Sequence, residues 1–173
     1  LPAKPCGMIE ADMIEKAITP ETGLVSVQAV NNEIGVIQPL SEIAAMLRGR
    51  AILFHCDAAQ APGRIAFDVA AAGVDFASLS AHKIYGPQGV GALYIKSNRD
   101  QILLPQQHGG GQERGLRSGT VPTALCVGFG VAAELIMVEW ERMLGLRERL
   151  LHKIRHLHPI VHGHKEEEWN APG

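Results

Sequence analysis

An excess of either charge is missing from this chain: 16 Lys and Arg stand against 18 Asp and Glu, a formal net of −2 with His neutral. That balance excludes a polybasic nucleic-acid binder. Aromatic residues are also few, at 5% of 173 residues, while glycine reaches 19, which points to a loop-rich architecture packed on Ala and Gly. Cysteine is rarer still. Cys6, Cys56 and Cys126 are odd in number and show neither C-x-x-C nor zinc-type spacing, which argues against a disulfide framework and for a reducing cytoplasm. No apolar run approaches the ~18–20 residues that span a bilayer, and no basic segment followed by an apolar one marks a secretory leader. The chain starts at Leu1 without Met and ends at Asn170-Ala171-Pro172-Gly173 inside a turn signal, so both ends are expected to be cuts through a longer polypeptide. What is present is 46% hydrophobic and 20% charged residues, enough apolar side chain for a packed core.

Periodicity predicts a short amphipathic helix over 8–18, ended by Pro20 and Gly23. The β-branched run 24–30 is a strand, and Asn31-Asn32-Glu33-Ile34-Gly35 follows at its carboxyl end. After Pro39, Ser41 is the expected N-cap of a helix over 42–50, and 51–55 is the next strand, with Asp57 and Gln60 straight after it. An apolar connection over 66–73 leads to a third strand, 74–80, which finishes in Ser80-Ala81-His82-Lys83. Tyr85-Gly86-Pro87-Gln88-Gly89 is a tight turn into a fourth strand over 90–95. Leu125, Phe129, Ala132, Ile136, Trp140, Met143, Leu150, Ile154 and Leu157 keep helical spacing, broken only by Gly145, as one long helix or two joined ones. Near-continuous apolar strands alternating with helices indicate an α/β layered sheet, mostly parallel and covered by helices on both faces.

In an open α/β sheet the ligand sits beyond the carboxyl ends of the strands, and Asn32, Asp57, Gln60, Ser80, His82 and Lys83 fall there in turn. A lysine held by a preceding Ser-x-His and a following Gly-Pro-x-Gly turn, partly desolvated, has the chemistry for a Schiff base. An aspartate paired in space with it is what a pyridine cofactor needs to keep its ring nitrogen protonated; by itself Asp57 could equally cap a helix. Gly86-Pro87-Gln88-Gly89-Val90-Gly91 has Walker-like glycine spacing but continues into Ala92-Leu93 and a strand, so a nucleotide loop is rejected. The segment from His108-Gly109-Gly110-Gly111-Gln112-Glu113 to Arg117-Ser118-Gly119-Thr120 offers an arginine and two hydroxyls before a helix, an anion-binding loop or a plain surface loop.

Asn31-Asn32-Glu33-Ile34-Gly35-Val36, His55-Cys56-Asp57-Ala58-Ala59-Gln60, Ser80-Ala81-His82-Lys83-Ile84-Tyr85-Gly86-Pro87 and Gly109-Gly110-Gly111-Gln112-Glu113-Arg114 through Arg117-Ser118-Gly119-Thr120 resemble the cysteine desulfurases. These are pyridoxal 5'-phosphate enzymes of the class V aminotransferase group, and order and spacing match over about residues 7–133. The Arg-Ser-Gly-Thr and Asn-Asn-Glu-Ile-Gly forms favour the branch that feeds iron–sulfur cluster assembly. The resemblance implies the fold type I transferase architecture, with 1–123 part of the large cofactor domain, 124–158 a connecting helix and 159–173 the start of a small domain. It implies Lys83 and His82 as catalytic residues, with Lys83 the Schiff-base anchor and Asp57 the partner of the pyridinium nitrogen. Gln60 would bond the cofactor's phenolic oxygen, Ser80 and His82 its phosphate, and Thr120 the phosphate in the neighbouring subunit of a homodimer. Asn32 would lie near the substrate carboxylate. The substrate implied is L-cysteine, which leaves as alanine with a persulfide on the enzyme, and the partner implied is an iron–sulfur scaffold or sulfur acceptor. Nucleic acid, membrane and metal are not implied.

The family's ring-stacking His and phosphate-gripping small-residue loop would precede Leu1, and its persulfide Cys and carboxylate-binding Arg would follow Gly173. Ala29 stands where members often carry His. A selenocysteine lyase, a related class V enzyme and a non-catalytic scaffold lacking the persulfide cysteine are the alternatives. Cys56 should point opposite to Asp57, into the core, and Cys6 and Cys126 are expected to be inert or incidental, neither matching the family's nucleophile. His152, His156, His158, His162 and His164 have no Cys or carboxylate at zinc-motif spacing, and Pro159 and Gly163 break the geometry, so a solvated helix end is expected.

Overall fold

The computed structural model describes residues 1–97, 99–160 and 162–163, and for 137–141 the backbone alone. Four strands, Leu24–Gln28 (β1), Leu53–Asp57 (β2), Phe76–Ser80 (β3) and Gly91–Ile95 (β4), lie side by side in that order. β1, β2 and β3 are parallel and β4 runs antiparallel to β3. The expected mostly parallel α/β sheet is found. Ala11–Ala17 (α1) and Leu40–Leu47 (α2) pack on one face of it, and Thr123–Ile154 (α3) follows the sheet.

Strand alternation decides which side chains are buried. Val25, Phe54, Cys56 and Ala77 project to one face, where Ile14 of α1 and Ile43 and Leu47 of α2 close the core. The opposite face carries Leu24, Ser26, His55, Asp57, Ser78 and Leu93. Leu24 is 52% exposed and Leu93 49%, so this face is partly open, although Phe76 on it is buried. Across that open face His55 bridges the three parallel strands: Nδ1 lies 2.8 Å from Ser26 Oγ and Nε2 2.8 Å from Ser78 Oγ.

Several boundaries differ from those expected. Glu10 is extended, so the first helix is α1 rather than 8–18. α2 begins at Leu40, with Pro39 and not Ser41 in the N-cap position, because Leu40 itself is drawn into the core. Gly49, at φ +78°, ends the run before residue 50. Val30 leaves β1 and makes an isolated bridge to Ile37. The second strand lies two residues later than 51–55, since its pairing starts where Leu53 N–H meets Gly23 O at 3.0 Å. Asp57 is therefore the last residue of β2 and not a residue beyond it. After β3 the chain enters a 3-10 turn, Ala81–Ile84, instead of open loop.

α3 is a single helix of 32 residues that runs through Gly145. Its first half packs Phe129, Ala132 and Ile136 around Ile84 of the 3-10 turn. No helix among the described residues is long and apolar enough to cross a membrane. Residues 164–173, most of the expected small-domain start, lie outside the described residues, as does His164.

Asp75, 6% exposed, ties the sheet together just before β3. Its Oδ2 accepts Phe54 N–H at 3.0 Å, its own N–H donates to Phe54 O at 2.8 Å, and its Oδ1 accepts Arg99 Nε at 3.0 Å. Asp75→Ala strands the buried Phe54 N–H, at a cost of about 1–3 kcal/mol. The expected outcome is a lower urea midpoint at unchanged m-value, checked by urea unfolding followed by circular dichroism.

Candidate active site

The parallel register brings the carboxyl ends of β1, β2 and β3 to one edge, because Gln28 stands opposite Asp57 and Asp57 opposite Ser78. Five of the residues singled out in the sequence follow at that edge from β2 and β3. Asp57 is exposed, and its Oδ1 accepts Ala59 N–H at 3.0 Å. Its backbone is pinned from both sides, Ala29 N–H donating to Asp57 O at 2.8 Å and Ala58 N–H to Ser78 O at 2.9 Å. Gln60 is half-buried in the turn that follows. Ser80 Oγ lies 3.2 Å from His82 Nδ1, which joins a hydroxyl and an imidazole at the mouth of the 3-10 turn. Lys83 is half-buried in that turn, and His82 is exposed.

The turn holds its shape for steric reasons. Tyr85 takes a left-handed conformation at φ 65°, and Gly86 N–H returns to Ala81 O at 2.9 Å. A Cβ on Gly86 would stand 2.9 Å from that same oxygen, so the position needs glycine. The lysine is thus delivered by a rigid element.

The two asparagines after β1 separate by role. Asn31 Oδ1 accepts Glu33 N–H at 2.9 Å and Ile34 N–H at 3.0 Å, an Asx turn that reverses the chain. Asn32 is exposed and takes no part in those bonds, leaving its amide available to a ligand. Thr120 is exposed, and no hydrogen bond joins it to the Asp57 and Lys83 edge among the described residues. Its loop closes on itself: Gly111 N–H donates to the buried Ser118 Oγ at 3.3 Å and Gly119 N–H to Gln112 Oε1 at 2.9 Å.

Two residues that motif reading passed over touch this edge. His55 holds Ser78, the register partner of Asp57. Arg64 donates from Nη2 to the backbone oxygen of Lys83 at 3.0 Å. His55 lay inside a recognised motif; Arg64 followed it as an ordinary cation, and only the contact marks it. A separate groove of about 500 Å³ lies against α3, lined by Ile84, Tyr85, Ala132, Leu135, Ile136, Arg142 and Met143. The polar edge does not line it.

Cys56 is fully buried and faces away from Asp57. Burial, with the neighbouring Asp57 charge adding to it, pushes its thiol up to about 12. A thiol protonated at neutral pH and shut in a core is no nucleophile. Cys6 and Cys126 are free and half-buried. Among the described residues no group of three or more His, Cys, Asp or Glu is placed to hold a metal ion, and His152, His156, His158 and His162 are exposed.

The donor set at the edge, a carboxylate, an amine, an amide, a hydroxyl and an imidazole on rigid elements, fits a phosphorylated pyridine aldehyde. The Aminotransferase class-V family matches residues 1–162, and the chain belongs to that family. It is 53% identical over 159 residues to the mitochondrial cysteine desulfurase of Arabidopsis thaliana, covering 90% of this chain and 35% of that protein. It is 55% identical over 142 residues to the cysteine desulfurase IscS of Rickettsia typhi, covering 82% of this chain and 35% of that protein. Among solved structures, a NifS-like protein superposes with a TM-score of 0.83 at 39% identity, over 90% of this chain and 44% of that one. The chain spans about a third of the length of the curated relatives it matches.

Cys56 ionises only above its unfolded value of 9.0 in the native protein, so the native state prefers the neutral thiol. The resulting stability is fully present below pH 9 and is lost as pH rises toward about 12. At pH 8 a thiol reagent is expected to modify Cys6 and Cys126 in native protein and Cys56 only after denaturant is added, as checked by peptide mass spectrometry.

Proposed function

We propose that this chain is the cofactor-holding part of a pyridoxal 5'-phosphate-dependent cysteine desulfurase that releases sulfur from L-cysteine for iron–sulfur cluster assembly. The observation that carries the reading is the placing of Lys83, the Ser80 and His82 pair and Asp57 at one strand edge. Identity of 53–55% to cysteine desulfurases supports it. When bound, pyridoxal phosphate supplies an electron sink conjugated to the substrate's α-carbon.

The chain's own residues bind and orient. In this reading the Lys83 amine would hold the cofactor covalently, carried on the 3-10 turn Ala81–Ile84. The Asp57 carboxylate, anchored by Ala59 N–H, keeps a proton on the ring nitrogen. Gln60 bonds the phenolic oxygen, Ser80 and His82 bind the phosphate, and His82 stands beside Lys83 as the further catalytic group. The Asn32 amide meets the substrate carboxylate. Thr120 reaches the phosphate of a second subunit, for which its exposed position outside the edge is suited. Exposed Val127, Val131 and Leu135 on α3 give apolar surface for subunit packing.

The persulfide-bearing thiol is assigned to none of Cys6, Cys56 and Cys126. Residues 1–123 are read as large-domain structure, 124–158 as the connecting helix and 159–173 as the start of a small domain. An iron–sulfur scaffold or other sulfur acceptor is the proposed partner, and the three free thiols suit a cytoplasmic location.

The test is performed on the full-length protein with L-cysteine and added cofactor. Equal amounts of alanine and sulfide are expected, and borohydride reduction should leave a pyridoxyl adduct on the Lys83 peptide. Lys83→Ala should lose both, while Asp57→Asn should lower turnover at least about a hundredfold. Turnover of selenocysteine alone would favour a lyase, and no adduct at all would favour a scaffold.

The cross-subunit role of Thr120 makes a second expectation. Lys83→Ala and Thr120→Ala chains, each inactive alone, should on subunit exchange recover about a quarter of wild-type activity, since half the dimers then keep one of two sites intact. No recovery despite exchange seen by native mass spectrometry would remove Thr120 from the site.

A further inference from the structure

Arg64 sits in a turn delivered by the strand that carries Asp57. Arg64 N–H and Ile65 N–H both return to Ala61 O, at 3.0 and 3.1 Å, and Ala61 is fully buried. Gly63, at φ +69°, lets this turn press against α3, for a Cβ there would stand 2.0 Å from Ile136 Cγ1. The turn is therefore wedged between β2 and α3, and its arginine points across to the 3-10 turn. Nη2 donates to Lys83 O at 3.0 Å, while Nη1 is buried with no hydrogen-bond partner among the described residues.

An arginine at a surface turn ordinarily lays its stem on the protein and its head in water. Here the head is turned inward, although a buried N–H without an acceptor is unfavourable. What it gains is one bond across nineteen positions of sequence, to a carbonyl in the last turn of a short helix where no intrahelical donor remains. That carbonyl belongs to the residue whose amine is the reactive group of the site.

We propose that Arg64 is a positioning residue for Lys83: its guanidinium clamps the lysine's own carbonyl and fixes the turn from which the amine projects. The inference rests on Lys83 being the cofactor anchor. It concerns orientation alone and gives Arg64 no contact with substrate or cofactor.

The experiment compares wild type, Arg64→Met, Arg64→Gln and Arg64→Lys in the full-length protein, with pyridoxal phosphate as the probe. Cofactor Kd, the visible absorption maximum and its pH titration are measured, with far-UV circular dichroism as the check on folding. Arg64→Met is expected to keep the fold, bind cofactor about tenfold more weakly, as one lost charge-assisted hydrogen bond implies, and shift the pH titration of the chromophore. Arg64→Lys should restore most of the affinity, since an ammonium also donates to a carbonyl. Arg64→Gln replaces Arg64→Met if the latter does not fold.

Wild-type affinity and titration in Arg64→Met would overturn the proposal, as would Arg64→Lys behaving no better than Arg64→Met. Failure of both Arg64→Met and Arg64→Gln to fold would also overturn it, by making Arg64 a structural residue. A wild-type adduct on a lysine other than Lys83 would instead sink the anchor assignment, and is read separately from the Arg64 variants.

Discussion

The pairing of β2 with β3 depends on Asp75. A carboxylate at the entrance to β3 takes the Phe54 N–H while its backbone N–H serves Phe54 O, so one residue acts at both ends of the first ladder step. From there the register runs His55 with Phe76 and Asp57 with Ser78. A slip of one residue would turn Asp57 into the core and Cys56 out to the edge. Everything proposed for the site presupposes this alignment, because Ser80 ends β3 and His82 and Lys83 follow in the 3-10 turn that continues it. Arg99 completes the clamp from beyond β4, which links the antiparallel strand to the same anchor.

Pleating then divides one strand between two chemistries. Phe54 and Cys56 enter a core closed by Ile43 and Leu47, and the thiol there stays protonated. His55 and Asp57 emerge on the other face. There His55 spans Ser26 and Ser78 and stiffens the layer of side chains directly below Asp57. Stiffness of this kind is what the proposed site would require, since a ligand held by several contacts tolerates little error in their spacing.

A second line of support comes from the far side of the turn. α3 presses Ile136 on Gly63, Gly63 seats Arg64, and Arg64 holds the Lys83 carbonyl. The helix also covers Ile84 directly. The turn that carries Lys83 is thereby fixed from two neighbours, β3 behind it and α3 beside it.

Much of this is legible in the amino-acid sequence. The β-branched and apolar runs marked all four strands, although in β1, β2 and β3 apolar residues alternate with polar ones that fall on the second face. Polar residues gathered after three of them, and their motifs placed Asp57, Gln60, Ser80, His82 and Lys83 together. The alternation rule alone put Cys56 opposite Asp57. Boundaries were less legible. Ser41 has the better capping side chain, yet Leu40 joins the helix because burying it outweighs a local preference. Asn31 and Asn32 are indistinguishable as letters, and only the Asx turn separates a structural amide from an available one. Arg64 and Asp75 carried no signal at all. The Arg64 side chain acts on a partner 19 residues away and the Asp75 carboxylate on partners 21 and 24 residues away, and no local pattern encodes a contact that exists only after the chain has folded. Local chemistry and periodicity determined which residues reach the edge; the tertiary structure decided which groups hold them there, because hydrogen bonds between distant turns depend on distances that sequence spacing does not contain.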